Sequence, residues 1–302
     1  MKKLITFIAS IIVILIAFDL LFGYATNFYI KKCGLHGDYK SIEYVMKQCK
    51  EDVLFIGSSV VLNSLMPSII EDSIGITCYN TGANAQTLHY FHTILNCILK
   101  RYTPKMVILG MKPNELSREG ISRYNLLIPY YHTGSSEIDS ILESKNDYEK
   151  YLLQSNLYRY NTIWFRILSY HFIRGHENTD KGFLAKEKPI FPPNLRYTKE
   201  NNSVLNNKVL IFEDIISICK QRGINLIVYF PPIYMRYKEK SETVKEVERI
   251  CKDKNIHFYN DTQDSIFLAH QDWFYDSSHL NKFGAIEYSK LFAKRLHDSY
   301  FK

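Results

Sequence analysis

The pattern of apolar and polar positions divides the chain into two stretches of different character. Residues 4–24 read LITFIASIIVILIAFDLLFGY, an apolar run carrying one charge, Asp19. As a helix, such a run is long enough to cross roughly 30 Å of hydrocarbon. It is apolar on every side and lies at the end of the chain, unlike the one-sided stripe of a core helix. It is longer than the apolar core of a removable signal peptide and has no convincing A-x-A-like cleavage site, so the pattern predicts a retained single-pass anchor over residues 1–26. Lys2, Lys3 and the amino terminus on one flank are nearly matched by Lys31 and Lys32 on the other. The charge rule therefore leans only slightly towards an inside N-terminus and an extracytoplasmic remainder.

After a polar, helix-like stretch at 41–49, short apolar runs alternate with longer helical patterns. Residues 53–56, 76–79, 106–110, 226–230 and 256–259 read as strands, and 87–101, 203–222, 242–254 and 282–300 as helices. This alternation predicts a three-layer α/β/α doubly wound domain over 27–302, flavodoxin-like, with a five-stranded, mostly parallel sheet. The third and fourth strands are separated by far more chain than one crossover helix requires, which marks an insertion at about 117–202. Within it, 157–173 is amphipathic and aromatic, and 181–198, rich in Pro, Gly and Asn, reads as a surface loop.

Composition changes this picture in three places. The 23 tyrosines and 18 phenylalanines exceed what one core requires, so some rings are expected to line a groove or face a membrane. The net charge of +7 is spread along the chain with no basic run longer than a pair, which excludes a nucleic-acid partner and suits anionic lipid or an anionic envelope polymer. The six cysteines, at 33, 49, 78, 97, 219 and 251, form no C-x-x-C pair and no metal-ligand spacing with histidine. Cys78, Cys97 and Cys219 fall in apolar stretches and are expected to be buried; whether Cys33 pairs with Cys49 stays open.

Candidate chemistry sits where a doubly wound sheet places its ligands, beyond the carboxyl ends of the strands. The first strand ends in FIGSSVV, which puts Gly57, Ser58 and Ser59 at that edge. Serines after a strand commonly form turns or helix caps, so this signal alone decides nothing. Near the C-terminus, WFYDSSHLNKFGA sets Asp276 shortly before His279 and ahead of the last helix. Serine is a poor nucleophile until a histidine takes its proton, and the histidine works best when a carboxylate holds its other nitrogen. One loop can deliver both partners. An Asp-capped helix start with an incidental histidine would look the same on this pair alone.

The combination resembles the SGNH (GDSL-like) hydrolases. G-S-S after the first strand, N-T-G-A-N-A-Q-T after the second, P-N-E after the third and D-S-S-H-L-N before the last helix are similar to that family's successive blocks, over about 52–295 apart from the insertion. The resemblance makes Ser59 the nucleophile, His279 its general base and Asp276 the group that orients the base. Ser58 stands where the family has an acid. The oxyanion hole would consist of the backbone N–H groups of Ser59 and Ala85 with the side chain of Asn114. Ala85 replaces a glycine, and the family's Gly-x-Asn becomes Gly110 followed by Met111, Lys112, Pro113 and Asn114. No cofactor and no metal are implied.

Other conspicuous residues have ordinary readings. His89 and His92 are expected to be plain core or surface histidines, Pro231 and Pro232 to stiffen a loop bordering the site, and Lys112 and Arg236 to be exposed. With an anchor ahead of it, the site is similar to the envelope-modifying branch of the family: polysaccharide O-acetyl transferases and esterases, and the D-alanyl transfer protein of teichoic acid modification. The implied function is an extracytoplasmic O-acyltransferase or esterase acting on an acylated cell-surface glycopolymer or a small acyl ester. A non-catalytic glycan-binding protein, an accessory of a membrane-bound O-acyltransferase, and a lipid-directed esterase are the alternatives.

Overall fold

The computed structural model describes residues 1–33, 38–117, 124–172, 179–189, 191–198 and 203–300. It divides into two compact units, Met1–Glu43 with Tyr124–His176, and Tyr44–Arg123 with Glu177–Lys302.

The second unit is built on five parallel strands, β1 (Val53–Gly57), β2 (Cys78–Asn80), β3 (Met106–Gly110), β7 (Asn225–Phe230) and β9 (His257–Asn260), in the order β2-β1-β3-β7-β9. Three small strands come from the chain between β3 and β7. Of these, β4 (Thr179–Asp180) and β5 (Phe183–Leu184) pair antiparallel, and β6 (Arg196–Thr198) pairs parallel with β8 (Met235–Tyr237). The stretch expected to be only a surface loop thus contains short pairings. Central strands β1 and β3 are buried throughout and read as unbroken apolar runs, because helices cover both faces of the sheet. β2 begins at Cys78, later than its apolar run suggests, because register sets Cys78 opposite Val53.

Alternation along the strands sends Val53, Phe55, Met106, Ile108, Ile227 and Tyr229 to one face, where they join Ile70 of α4 (Pro67–Ile74) and Tyr288, Phe292 and Leu296 of α12 (Lys282–Tyr300) in one core. Each of those fully buried side chains contributes about 1.5–3 kcal/mol relative to exposure. The opposite face receives α5 (Leu88–Leu99) and α9 (Asn206–Gln221), which pack on each other, and α10 (Glu242–Asp253) packs on β9. Short α3 (Ser59–Leu62) follows β1, and α11 (Ser265–Ala269) follows β9. Helix α4 does not stand out in the sequence, being short, opened by Pro67 and closed by Gly75 at φ 72°.

In the first unit α1 (Lys2–Cys33) continues well past the end of the apolar run and packs along α8 (Asn156–Phe172), the amphipathic aromatic segment. Between them in sequence come α2 (Asp38–Lys47), whose last residues belong to the second unit, and α6 (Ser136–Glu143) and α7 (Glu149–Leu152).

Cys49, Cys78, Cys97, Cys219 and Cys251 are buried free thiols. Burial pushes the thiols of Cys49, Cys219 and Cys251 up to about 12. Cys49 Sγ lies 3.2 Å from the Tyr102 hydroxyl, and the side chain of Cys33 is outside the described residues.

Candidate active site

Ser59 reaches the sheet edge because its surroundings are small. Gly57 and Gly110 face each other in register at the ends of β1 and β3, and a Cβ on either would run into the Val61 side chain. Without those two methyl groups α3 settles directly onto the strand ends. Ser58, in extended conformation, precedes that helix; its side chain is buried, and its Oγ finds no hydrogen-bond partner among the described residues.

The loop before α12 carries the other two groups. Asp276 Oδ1 accepts from the N–H groups of Ser278 (2.7 Å) and His279 (2.9 Å), which folds the chain into a tight turn. Tyr275 N–H donates to the His279 carbonyl at 2.9 Å, and Tyr234 N–H to the Ser277 carbonyl at 3.0 Å. Asn281 then locks the exit: its Nδ2 donates to the Asp272 carbonyl at 2.6 Å, while its Oδ1 caps α12 by accepting from the N–H groups of Phe283 and Gly284.

So held, His279 Nδ1 lies 2.9 Å from both Asp276 oxygens, and Nε2 lies 2.8 Å from Ser59 Oγ. A proton on Nδ1 facing the carboxylate leaves Nε2 as the acceptor, so the Ser59 hydroxyl donates to it. Burial works to raise the Asp276 carboxyl, but the His279 ring and the two backbone N–H groups outweigh it and hold the group below the ordinary carboxylate range. Asp276 therefore stays anionic where a histidine is neutral. Serine, imidazole and carboxylate form one hydrogen-bonded chain.

The second block runs beside this chain. Thr81 N–H donates to the Phe55 carbonyl at 2.8 Å and Ala83 N–H to the Gly57 carbonyl at 3.1 Å, continuing the pairing with β1 to its last residue, Gly57. Ala85 adopts φ 58°, the left-handed backbone that favours glycine. The alanine thus keeps the glycine geometry, and nothing among the described residues accepts its N–H. Asn114 lies in the turn after β3 and lines a cavity of about 190 Å³ with Val60, Lys112, Pro231, Tyr237 and His279. Among the described residues the turn does not run into a helix that Asn114 could cap. Lys112 and Pro231 also face this cavity, whereas Arg236 is exposed.

No protein-family model matches this sequence, and no curated protein sequence matches it either. Among solved structures the chain is similar to a G-D-S-L family protein from Desulfitobacterium hafniense DCB-2, at 12% identity over 80% of this chain and 97% of that one, with a TM-score of 0.42. It is also similar to a family two carbohydrate esterase from Clostridium thermocellum in complex with cellohexaose (8% identity, 82% of this chain and 63% of that one, TM-score 0.41). A lipase/acylhydrolase from Enterococcus faecalis matches at 8% identity over 82% and 96% of the two chains, with a TM-score of 0.38. The similar structures are esterases and acylhydrolases at low identity.

Three residues that position the site have no assigned part in the sequence reading. Buried Asn80 donates through Nδ2 to the carbonyls of Val61 (2.9 Å) and Leu65 (3.0 Å) and accepts from the Gly82 N–H (2.9 Å), tying the second block to α3. Buried Glu115 accepts from the Leu88 N–H at 3.1 Å, tying the Asn114 turn to α5. Asn281 is the third. Each is a polar residue inside one of the quoted blocks, and its burial with hydrogen-bond partners is what the fold adds. His89 and His92 have plain roles: His89 Nδ1 accepts from Lys208 Nζ at 2.8 Å, and His92 Nε2 meets Asp214 at 2.7 Å. Burial, and then the Lys208 charge, lower His89 to about 4.

Proposed function

We propose that the chain is an SGNH-type serine esterase or O-acyltransferase, held in a membrane by α1 and acting on the extracytoplasmic side. The observation that carries this reading is the Ser59–His279–Asp276 hydrogen-bonded chain at the carboxyl edge of the sheet. Ser59 Oγ attacks the ester carbonyl carbon as His279 Nε2 takes its proton, and Asp276 stabilises the resulting imidazolium. The carbonyl oxygen, now an anion, is held by the N–H groups of Ser59 and Ala85 and by the Asn114 amide. Collapse breaks the ester C–O bond, the leaving alcohol takes the proton from Nε2, and the acyl group stays on Ser59. Water or a sugar hydroxyl then attacks that ester, gives its proton to His279, and the proton returns to Ser59.

A cavity of about 190 Å³ supports a short acyl group such as acetyl, since pockets for larger ligands span about 300–1,000 Å³. A sugar polymer approaching from outside then leaves only its acyl substituent in the cavity. Retention of α1, as against its removal as a signal sequence, is supported by the four hydrogen bonds that Asp19 accepts from the start of α8.

Turnover of an aryl acetate tests the oxyanion assignment. Asn114→Ala is expected to lower kcat by roughly 10²- to 10³-fold, about 2.7–4 kcal/mol, because the amide serves charge that develops only during attack. KM is expected to stay nearly constant. A variant that keeps more than about a third of kcat, a loss under 1 kcal/mol, removes Asn114 from the oxyanion hole.

A further inference from the structure

Asp19 is the one charge inside the apolar run of α1, and in hydrocarbon such a residue is costly unless protein groups satisfy it. The start of α8 does so. Asp19 Oδ1 accepts from Ser155 Oγ at 2.6 Å and Leu157 N–H at 2.9 Å, and Oδ2 accepts from Asn156 N–H at 2.9 Å and Nδ2 at 3.0 Å. Ser155 Oγ in turn accepts from Tyr158 N–H at 3.3 Å, and Arg159 N–H donates to the Ser155 carbonyl at 3.0 Å. The N–H groups that a first helical turn leaves open are thus closed by protein alone. Away from water, a helix start has to be closed in this way.

The contact continues along one stripe of α1. Gly23 lies so close to Asn156 that a Cβ would collide with its side chain, Trp164 Nε1 donates to Thr26 Oγ1, and the Tyr160 hydroxyl donates to Asn27 at 3.4 Å. Small and polar residues of this kind join helices in lipid, where apolar side chains gain nothing by meeting each other. α8 therefore begins beside Asp19, roughly 8 Å of helix short of Tyr24 and the end of the apolar run, and rises from there alongside α1.

Just before that start Tyr148 (73%), Tyr151 (66%) and Leu152 (44%) are exposed, with Lys150 Nζ 5.0 Å from the Tyr151 ring centre, and further along α8 Phe165 (77%) is exposed as well. Aromatic rings with nearby basic groups suit the headgroup boundary of a bilayer. We propose that the segment from Tyr148 to Phe165 is inserted in the interfacial layer of the bilayer that α1 crosses, with phospholipid covering its aromatic face. This rests on the reading of α1 as a retained anchor. Lipid is the occupant because the hydrogen bonds from Ser155, Asn156 and Leu157 fix the start of α8 beside Asp19, inside the apolar run of α1. Asp19, the polar group that would direct a protein partner, is already engaged.

The test uses the full chain carrying Trp273→Phe, which leaves Trp164 as its only tryptophan. It is reconstituted in phosphatidylcholine–phosphatidylglycerol vesicles with and without bromine on the acyl chains. The chain is expected to resist a carbonate wash and to lose most Trp164 emission in the brominated vesicles. Adding Asp19→Leu makes α1 more apolar while opening the α8 start, so carbonate resistance should persist and emission should recover. Adding Leu152→Glu with Phe165→Glu should likewise restore emission, with helix content unchanged by circular dichroism. A chain that stays bound yet keeps full emission overturns the insertion. Emission still lost in the double-glutamate chain overturns the role of the aromatic face, and a chain washed off by carbonate overturns the anchor and the insertion together.

Discussion

His279→Ala is expected to lower kcat for an aryl acetate by about 10⁶, the order seen when the base of such a unit is removed alone. Nε2 is the acceptor 2.8 Å from Ser59 Oγ, and without it the serine proton has only solvent to go to. The loss should be catalytic and not structural. The backbone of His279 holds the loop through its N–H to Asp276 and its carbonyl to Tyr275, and alanine keeps both bonds. Stability should therefore fall by no more than about 1 kcal/mol, measured by urea unfolding. Partial recovery of turnover on adding free imidazole separates loss of the base from a misfolded loop.

Asp276→Asn is expected to cost about 10⁴ in kcat, for a reason written in the loop geometry. Asp276 Oδ1 accepts from the N–H groups of Ser278 and His279, so an asparagine must keep its oxygen there. Its NH₂ then faces His279 Nδ1 and donates, which moves the ring proton to Nε2. That tautomer cannot accept from Ser59. Since the oxygen still serves both backbone donors, the fold should survive, and kcat measured beside an unchanged unfolding midpoint checks both halves of the argument. A variant within about tenfold of the parent would mean that the carboxylate does not orient the base, since tenfold is only about 1.4 kcal/mol.

The central strands were legible because a buried parallel strand leaves no choice of face: residues 106–110 are apolar and all buried, and β3 occupies that range. Helix α12 was legible from its apolar spacing, although its cap, Asn281, was not. β2 was displaced because its position depends on register with Val53, which is not a property of its own residues. α4 was missed because Pro67 and Gly75 look like loop residues until they appear at the two ends of one helix. The grouping of Ser59, His279 and Asp276 was legible only through the resemblance of four sequence blocks to the SGNH hydrolases, since neither the serine turn nor the Asp-His loop decides it alone. The glycine-like backbone of Ala85 was not legible, since nothing in its side chain announces φ 58°. Nor could the partner of Asp19 be read, because the start of α8 lies far along the chain and only the fold brings it to α1.

The account stands on Ser59 being an activated nucleophile, and covalent capture measures that directly. The full chain in detergent is treated with a small fluorophosphonate, digested, and the peptide containing Ser59 is weighed by mass spectrometry. One phosphonyl adduct is expected on Ser59, absent from Ser59→Ala and strongly slowed in His279→Ala. An unmodified Ser59 peptide, or equal labelling of the parent and Ser59→Ala chains, would contradict the proposed serine chemistry and favour a protein that binds its glycan without turning it over.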